Sequence, residues 1–341
     1  MNSTIIVVPR ERFSSIIQSL ESLFATIGDD VPVIVVEGGS PGRVRADLKA
    51  LQAKRPFEVI SRPYMITPNE ARNIGARRAR SDFVVFCDND LEYQPNWLDR
   101  LQANAIANAA DMVSPLIFLG PSNPPRVHHA GGFLVYDRDK DEVVIDEVHR
   151  LGNAWYDDVR DQLDELAPVA NEVSEFHCML MHRGFFERLG GLDERLISRE
   201  HMDLALRAKA LGATVTFEKD SHVTYMAKQP FRRQDILYHL FRWSDELALQ
   251  SFTAFEETWG VRLDVPMLMN EWIRPHRRRA LPSLHPTLTL MLGSRGVMSL
   301  LARPYEVWAR RKTRDLRPAI QRYVPSPVAK PGFVHRLAAR T

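Results

Sequence analysis

Apolar residues in the first 225 positions fall into short runs that alternate with stretches of helical spacing. Continuous apolar runs predict strands buried on both faces, whereas apolar residues three and four positions apart predict helices. The strand runs lie at 5–8, 31–36, 57–60, 83–87 and 112–118, and the helical stretches at 13–24, 68–79 and about 97–110. This alternation predicts an α/β domain with a largely parallel sheet and right-handed crossovers.

The later part of the chain has a different pattern. It predicts, in order, a hairpin, a strand entering a helix, a helix, a last strand and a long helical stretch, at 131–145, 176–182, 204–211, 214–218 and 234–260. We therefore place a catalytic domain at 1–228 and a mainly helical, basic extension at 229–341.

Candidate chemistry is clearest where the run from Phe83 to Cys87 ends in two carboxylates, Asp88 and Asp90. Ligands of α/β sheets bind beyond the carboxyl ends of the strands. Side chains two residues apart on extended backbone point the same way. The pair could hold a hard divalent cation, with water and phosphate oxygens completing the shell. Because Asp-x-Asp is common by chance, a simple turn after a strand is the alternative.

Four separated stretches together resemble a family 2 glycosyltransferase of the GT-A fold. They are Pro9-Arg10-Glu11, the loop after Val36, the block from Ala71-Arg72-Asn73 to Asp88-Asn89-Asp90, and the segment from Gly190-Gly191-Leu192-Asp193-Glu194 to Arg207. The resemblance covers roughly residues 4–225. It implies a Rossmann-like, mostly parallel central sheet flanked by helices. It also implies an inverting transfer of a sugar from a nucleotide-diphosphate donor to an acceptor hydroxyl.

The resemblance assigns the nucleotide to the loops after the first two strands. In the family these loops hold the base and ribose, which implies donor-binding roles for Pro9, Arg10, Glu11 and Glu37. The family usually has a second acid after the position of Glu37, where this chain has Gly38. A UDP-sugar is the expected donor.

The resemblance assigns the diphosphate to the central block. Arg72 matches the family's arginine near the donor, and Asp88, Asn89 and Asp90 match the Asp-x-Asp motif that binds Mn²⁺ or Mg²⁺. The chemistry needs such groups independently of the family, because a cation and an arginine stabilise the negative charge on the leaving diphosphate.

The acceptor hydroxyl is a poor nucleophile and needs a base within hydrogen-bond reach. The family usually has Glu-Asp in the segment after the glycine-rich turn, with the Asp as base, whereas this chain has Glu200-His201. We therefore favour Glu200 as the base, with His201 as its rival. The plain alternative for Glu200 is an acidic helix N-terminus that interacts with the helix dipole. Asp203 and Arg207 have the spacing of an ion pair on one helix face.

Two further histidines are candidates. The family often ends its last strand with a metal-binding His, and here Tyr225 stands at that position with His222 three residues earlier. His222 is therefore either a metal ligand or a solvated loop residue. His177 lies on the strand that faces the expected acceptor side, so it either binds the acceptor or packs in the core.

Two other functions, a nucleotidyltransferase and a non-catalytic binding protein, fit the sequence less well. A nucleotidyltransferase would carry a glycine-rich signature in its first loop, but Pro9-Arg10-Glu11-Arg12 contains no glycine. A non-catalytic relative that binds sugars or membranes would be favoured by loss of Asp-x-Asp or of Glu200, and both are present. The acceptor is expected to be a glycan, a polysaccharide or a lipid-linked sugar.

Charge is divided unevenly along the chain. Residues 270–341, called the basic tail below, hold 15 Lys and Arg against 3 Asp and Glu, whereas residues 1–269 hold 30 against 40. The tail is interleaved with apolar and aromatic residues. This pattern favours contact either with an anionic membrane surface or with the acidic body of the protein. Nucleic acid is not expected as a partner, because a sugar-transfer site gives it no purpose.

The remaining composition favours a cytoplasmic protein, or a peripheral one on the cytoplasmic face of a membrane. Of the residues, 45% are hydrophobic and 26% are charged, as in globular proteins. Both cysteines, Cys87 and Cys178, lie in apolar surroundings, which fits a reducing compartment. The chain begins without a basic leader, so we expect no signal peptide.

Overall fold

The computed structural model describes residues 2–120, 122–139, 142–166, 171–227 and 229–323. Its strands, β1 to β11, are Ser3–Val8, Val33–Gly38, Glu58–Arg62, Phe83–Asp88, Leu91–Tyr93, Met112–Leu119, Arg126–His129, Gly132–Asp139, Glu142–His149, Cys178–His182 and Val215–Tyr225. Its helices, α1 to α15, are Ile16–Phe24, Gly42–Gln52, Pro68–Arg78, Trp97–Ala107, Tyr156–Val159, Leu163–Leu166, Arg183–Leu189, Glu200–Ala210, Ile236–Arg242, Asp245–Trp259, Val265–Met267, Arg274–Arg278, Leu281–Leu284, Pro286–Asp315 and Arg317–Ile320.

The main sheet has the strand order β3-β2-β1-β4-β10-β6-β11-β5, and β7 pairs with β6. Strands β1 to β4 are parallel, as the alternating pattern predicts. In contrast, β10 runs antiparallel to both β4 and β6, and β5 runs antiparallel to β11. The sheet is therefore more mixed than the predicted, mostly parallel one. An apolar run does not reveal its direction, because a buried strand has the same composition in either orientation.

Strand β4 lies in the middle of this sheet, with every residue buried. Its side chains alternate between two cores, as the period of a strand requires. Val85 and Cys87 pack with residues of α1, α2 and α4, whereas Val84 and Phe86 pack with residues of α3, α7 and α8. The helices on both faces remove β4 from water, and its carboxyl end opens at the edge where Asp88 lies.

Two elements extend beyond their predicted bounds. Strand β11 continues to Tyr225 because an irregularity between Glu218 and His222 shifts its pairing with β6 and lets the ladder resume. Helix α8 begins at Glu200, after Arg199 in a left-handed conformation (φ 64°). This early start places Glu200 and His201 in the first turn of the helix.

The described part of the extension is helical, as predicted, and it packs tightly on the sheet domain. Tyr238, Phe241 and Tyr323 belong to the same buried cluster as β1 and β4. Helix α14 bends at Gly293, whose backbone (φ 69°, ψ 166°) favours glycine. Within the described residues, none of the helices combines the length and apolarity needed to cross a membrane. The boundary at residue 228 stays a prediction.

Candidate functional site

The site lies at the carboxyl ends of β1 and β4. Asp88 is the last residue of β4 and pairs with Val8 of β1, so the chain after β1 passes beside it. Arg72, on α3, donates a hydrogen bond from Nη2 to Asp88 Oδ1 over 3.0 Å. Arg10 Nε lies 3.5 Å from Asp88 Oδ2. Although burial would raise the pKa of Asp88, the neighbouring His177 and these two arginines lower it below its ordinary value. Asp88 is therefore ionised and held in place.

Asp90 has the opposite surroundings. Its side chain is buried, and neither carboxylate oxygen has a hydrogen-bond partner among the described residues. Burial and the charge of Asp88 raise its pKa to about 7, although Arg12 and Arg10 act against the shift. A buried carboxylate without partners is costly. The arrangement fits a cation that would supply the missing interactions.

A histidine completes the set of ligand atoms. Asp88, Asp90 and His177 each offer one atom within 4.8 Å of the others, and all three side chains are buried. His177 Nδ1 lies 3.1 Å from Asp88 Oδ2. The sequence placed His177 on the acceptor side or in the core, whereas the structure places it beside the carboxylate pair.

His222, the predicted metal-ligand candidate, lies elsewhere. Its ring packs edge-on against Phe118 and Tyr156, and its Nε2 lies 3.0 Å from the carbonyl oxygen of Lys219. It belongs to neither of the two groups of potential metal ligands among the described residues. The structure therefore corrects its position: His222 is a packed residue of β11 away from Asp88 and Asp90.

The loop after β2 fits contact with a polar ligand. Glu37 is buried and accepts a hydrogen bond on Oε2 from the backbone N–H of Ser40, over 3.2 Å. Its other oxygen, Oε1, is buried without a hydrogen-bond partner in the described chain. Gly39 has φ 68°, and an added Cβ would lie 3.0 Å from the backbone of Met65. The glycine thus permits the tight turn that aims Glu37.

The loop after β1 contacts both the turn that contains Asn89 and the helical extension. The backbone N–H of Arg10 donates to Asn89 Oδ1, and the carbonyl oxygen of Pro9 accepts from Tyr238 Oη. Glu11 instead points into the protein, where it is fully buried between Arg12 and Trp243. The structure gives Glu11 an internal set of partners that the sequence did not reveal.

Glu200 and His201 have different partners. A side-chain oxygen of Glu200 lies 3.8 Å from Arg242 Nη2. Burial lowers the pKa of Arg72, and the nearby carboxylates of Asp88 and Glu200 offset only part of that shift. His201 Nε2 lies 2.7 Å from a carboxylate oxygen of Glu147. Burial lowers the pKa of His201, but Glu147 raises it more, so the net shift is upward. The contact with Glu147 thus favours the protonated form of His201.

Several site residues were missed by the sequence analysis. Tyr225 stacks on His177 with ring centroids 4.1 Å apart, and its hydroxyl accepts a hydrogen bond from Arg10 over 2.5 Å. Arg242 comes from α9 of the extension and reaches Glu200. No local motif marks Arg242. Tyr225 was noted only as the residue at the position of the family's metal-binding His, because its partners come from distant parts of the chain.

The histidine–glutamate cluster is a larger alternating array. It joins two predicted candidates, His177 and His201, to four residues that the sequence analysis missed: His128, Glu147, His149 and Glu175. Burial would raise the pKa of Glu175, but His128, His177 and His149 lower it well below its ordinary range. Burial would lower the pKa of His149, but Glu147 and Glu175 raise it to about 9. The abundance of histidine between 128 and 201 was the available signal in the sequence.

The fold and the site together define an α/β domain with buried carboxylates at the end of its central strand. The model of the Glycosyl transferase family 2 matches residues 3–190, more than half of the chain. The chain therefore belongs to glycosyl transferase family 2, which confirms the family suggested by the sequence motifs.

Curated relatives are distant and longer. Human polypeptide N-acetylgalactosaminyltransferase 15 is 24% identical over 272 residues, which cover 75% of this chain and 39% of the relative. The pre-mycofactocin glycosyltransferase of Mycobacterium tuberculosis is 26% identical over 195 residues, covering 54% of this chain and 35% of the relative. The chain thus spans less than half the length of these relatives.

Solved structures share the fold. GalNAc-T7 with UDP, GalNAc and Mn²⁺ superposes with a TM-score of 0.51 and 16% identity, covering 66% of this chain and 43% of the other. The mannosyltransferase PcManGT of Pyrobaculum calidifontis, in complex with GDP-Man and Mn²⁺, gives a TM-score of 0.50 and 15% identity, covering 94% and 86%. These matches confirm the GT-A type of fold.

Proposed function

We propose that this protein is an inverting glycosyltransferase that moves a sugar from a nucleotide-diphosphate donor to an acceptor hydroxyl. The observation that carries the proposal is Asp90, a buried carboxylate with no hydrogen-bond partner among the described residues, beside the ionised Asp88. Such a pair at the end of a central strand suits a cation that binds a diphosphate.

Two carboxylates and an imidazole would hold the cation. Asp88, Asp90 and His177 have the required proximity, and Asn89 fixes the turn by donating from Nδ2 to the carbonyl oxygen of Arg12 over 2.7 Å. An imidazole in the set favours Mn²⁺ over Mg²⁺, which prefers oxygen ligands. When bound, the cation would neutralise charge on the diphosphate leaving group.

Arginines of the protein would act on the same charge. Arg72 is buried, stacks its guanidinium 4.0 Å from the ring centroid of Phe176, and pairs with Asp88. Arg10 is held by Tyr225 and Asp88 at the same edge. The guanidinium groups of both arginines are held in place before the donor binds. Preorganised charges of this kind stabilise a developing negative charge effectively.

The donor would be a UDP-sugar. Glu37 offers its unpartnered Oε1 toward the nucleoside, and Pro9 and Arg10 line the neighbouring loop. GalNAc-T7 was crystallised with UDP, whereas PcManGT was crystallised with GDP-Man. Comparing the binding of UDP-sugars and GDP-sugars would therefore identify the nucleobase that the donor carries.

The general base that activates the acceptor hydroxyl would be Glu200 rather than His201. A general base must be deprotonated, and the ion pair with Glu147 raises the pKa of His201, which disfavours its neutral form. Glu200 would accept the proton of the acceptor hydroxyl as that oxygen attacks the anomeric carbon. Attack on the face opposite the diphosphate inverts the configuration. The acceptor would be a glycan or a lipid-linked sugar.

Calorimetry and donor hydrolysis test this proposal. With Mn²⁺ present, we expect UDP-sugar binding and slow release of UDP. Asp90→Asn should weaken Mn²⁺-dependent donor binding at least tenfold, because it removes a charged ligand. Asp47→Asn, on exposed α2, is the matched control. Donor affinity that is the same with Mn²⁺ and with chelator, or unchanged in Asp90→Asn, would contradict the proposal and favour a non-catalytic sugar-binding protein.

We also propose that the basic tail contacts an anionic membrane on the cytoplasmic face, close to the acceptor. Around the bend of α14, Leu290, Met291 and Leu292 are 89%, 74% and 49% exposed. In the described chain, Arg295 and Arg303 have no carboxylate within 4.0 Å. Exposed apolar residues beside free arginines are typical of a helix that lies in a membrane interface.

A further inference from the structure

We infer that the chain carries a second cation site, suited to Zn²⁺ or a similar borderline metal, formed by His128, His149, Glu175 and His177. It is distinct from the Asp88–Asp90 pair and goes beyond the proposed sugar transfer. The three elements that supply the ligands are β7, β9 and the segment that leads into β10.

The distances suit a tetrahedral ion. Glu175 Oε2 lies 2.9 Å from His128 Nε2 and 3.5 Å from His177 Nε2. Glu175 Oε1 lies 3.6 Å from His149 Nε2. Ligands about 2.0–2.2 Å from a tetrahedral zinc are about 3.3–3.6 Å from one another. Ligand atoms of His128, Glu175 and His177 lie within 4.8 Å of one another, so small side-chain adjustments would bring these three around one ion. His149, which faces the other oxygen of Glu175, would have to move further to become the fourth ligand.

Three of the ligand atoms are buried without an aligned hydrogen bond, although Glu147 Oε2 also lies 3.6 Å from His149 Nε2. Nε2 of His128, Nε2 of His149 and Oε2 of Glu175 are all buried, and none makes an aligned hydrogen bond with a described residue. His128 and Glu175 are close, but their contact does not meet the angle of a hydrogen bond. Buried polar atoms are rarely left in this state. A shared cation would satisfy all of them together.

The two ring nitrogens of His177 face different groups. Nε2 faces Glu175, whereas Nδ1 lies 3.1 Å from Asp88 Oδ2. A histidine that binds a metal through one nitrogen commonly donates its other N–H to a carboxylate, which fixes the ring. Asp88 would take that role while the first site is empty, whereas a cation at the first site would take Nδ1 in place of the proton, so one ring couples the two sites.

The chemistry of the ligands selects the metal. Three imidazoles and one carboxylate favour Zn²⁺ or Co²⁺ over Mg²⁺ and Ca²⁺, which prefer oxygen. A site closed by four protein ligands is typical of a structural metal. The ion would join the β8–β9 hairpin to the main sheet, since His149 ends β9 and His128 belongs to β7 of that sheet.

Cobalt is the probe for the test. The full-length chain, stripped of metal with chelator, is titrated with Co²⁺ without donor, and visible absorption is followed. We expect one equivalent to give the intense bands of tetrahedral Co²⁺, which Zn²⁺ should abolish by displacement. The signal should persist in Asp90→Asn, which impairs the first site only. It should be lost, or need at least tenfold more Co²⁺, in His128→Gln and in Glu175→Gln.

Controls separate metal binding from folding. His222→Gln removes a half-buried histidine of the same sheet outside the cluster, and it should keep the signal. Far-UV circular dichroism in chelator reports whether each variant is folded, and His149→Gln replaces any variant that is not. Zn²⁺ should also raise the melting temperature of the unmodified chain, as for any ligand that binds only the folded state, but not that of His128→Gln.

Two results of the cobalt titration would overturn the inference. If Co²⁺ gives no tetrahedral bands, the four side chains form only a hydrogen-bonded network. If the bands disappear in Asp90→Asn and persist in His128→Gln, the metal lies at the first site alone. Neither result depends on donor binding, so the outcome is independent of whether the protein transfers sugar.

Discussion

At the residue scale, the assignment of the base depends on the partners of two neighbouring side chains. Glu200 faces Arg242 across 3.8 Å, a distance that leaves its oxygens available for an acceptor hydroxyl. His201 is instead paired with Glu147. The two residues share the first turn of α8, yet they have different partners.

This difference leads to a kinetic prediction. Glu200→Gln should keep donor affinity but lower kcat by roughly 10²–10⁴, the usual effect of removing a positioned base. His201→Gln should lower kcat less, because it changes a residue that supports the turn. Donor affinity by calorimetry and kcat by product formation are the measurements. A near-normal kcat in Glu200→Gln together with an inactive His201→Gln would assign the base to His201.

Asp203 gives a prediction of pH dependence. It is buried on α8, accepts a hydrogen bond from Trp259 Nε1 over 2.9 Å and lies 3.7 Å from Arg207. Burial raises its pKa to about 6, although Arg207 and Trp259 oppose the shift. Since the folded pKa exceeds the unfolded one, this group favours folding at low pH, and that contribution is lost as the pH rises through about 6.

The test is the isosteric Asp203→Asn, which keeps the acceptor for Trp259 but cannot ionise. Its free energy of unfolding relative to that of the unmodified protein should increase by about 1 kcal/mol between pH 5 and pH 8. Urea unfolding at the two pH values measures this difference. A difference that stays constant or falls with pH would show that the carboxyl is not destabilised by burial.

The positions of site residues could be predicted from the sequence where the residues follow a local pattern. Asp88 and Asp90 follow a buried strand, so their position could be read from the pattern, and the structure brings them together with Arg72. His222 and His177 could not be placed, because a histidine's neighbours come from other strands. The irregularity in β11 decides that His222 packs against Phe118 instead of approaching the carboxylates.

At the element scale, the loop after β1 joins the sheet domain to the helical extension. Glu11 is fully buried, accepts a hydrogen bond from Trp243 Nε1 over 3.0 Å, and lies 2.6 Å from Arg12 and 3.6 Å from Arg279. Burial would raise the pKa of Glu11, but Arg279, His239 and the two nearby arginines lower it well below its ordinary value. Its charge therefore holds several elements together.

Glu11→Gln should destabilise the protein rather than affect only the donor site. Removing one partner of a buried ion pair leaves other charges uncompensated and typically costs about 3–5 kcal/mol. Arg43→Ala is the control, because its ion pair with Asp47 on α2 is largely exposed and such pairs contribute about 0–1 kcal/mol. Urea denaturation measures both. Normal stability with weakened donor binding would instead support the donor-binding role predicted from the sequence.

The elements themselves were largely predictable, because buried strands and amphipathic helices differ in period. The direction of β10 was not predictable, since apolar runs do not encode orientation. The packing of α9 and the last described turn on β1 and β4 also had no sequence signal. Phe241 and Tyr323 look like ordinary apolar residues until the fold brings them together.

At the scale of the whole molecule, the basic tail divides into an internal part and an exposed part. Arg274, Arg277 and Arg310 all pair with Asp245, and Arg277 and Arg278 pair with Glu306. These contacts support the view that part of the tail folds against the rest of the protein. They also make truncation a poor test, because removing the tail would expose the buried side chains that it covers.

The exposed part gives the prediction about membranes. Leu290 and Met291 stand out from α14 near its bend, and Arg295 lies one turn further on. Burying a leucine-sized side chain contributes about 1.5–3 kcal/mol, and each arginine near an anionic surface adds about 1 kcal/mol. The chain should therefore co-sediment with vesicles containing anionic phospholipid, and more weakly at high salt, because salt screens the arginines.

Replacing both apolar residues, by Leu290→Ser and Met291→Ser, should lower the partition coefficient at least tenfold. Ile106→Ser changes an exposed apolar residue on α4 and should have no effect. Equal sedimentation of the double variant and the unmodified chain, or none with either, would leave the basic tail with an internal role only.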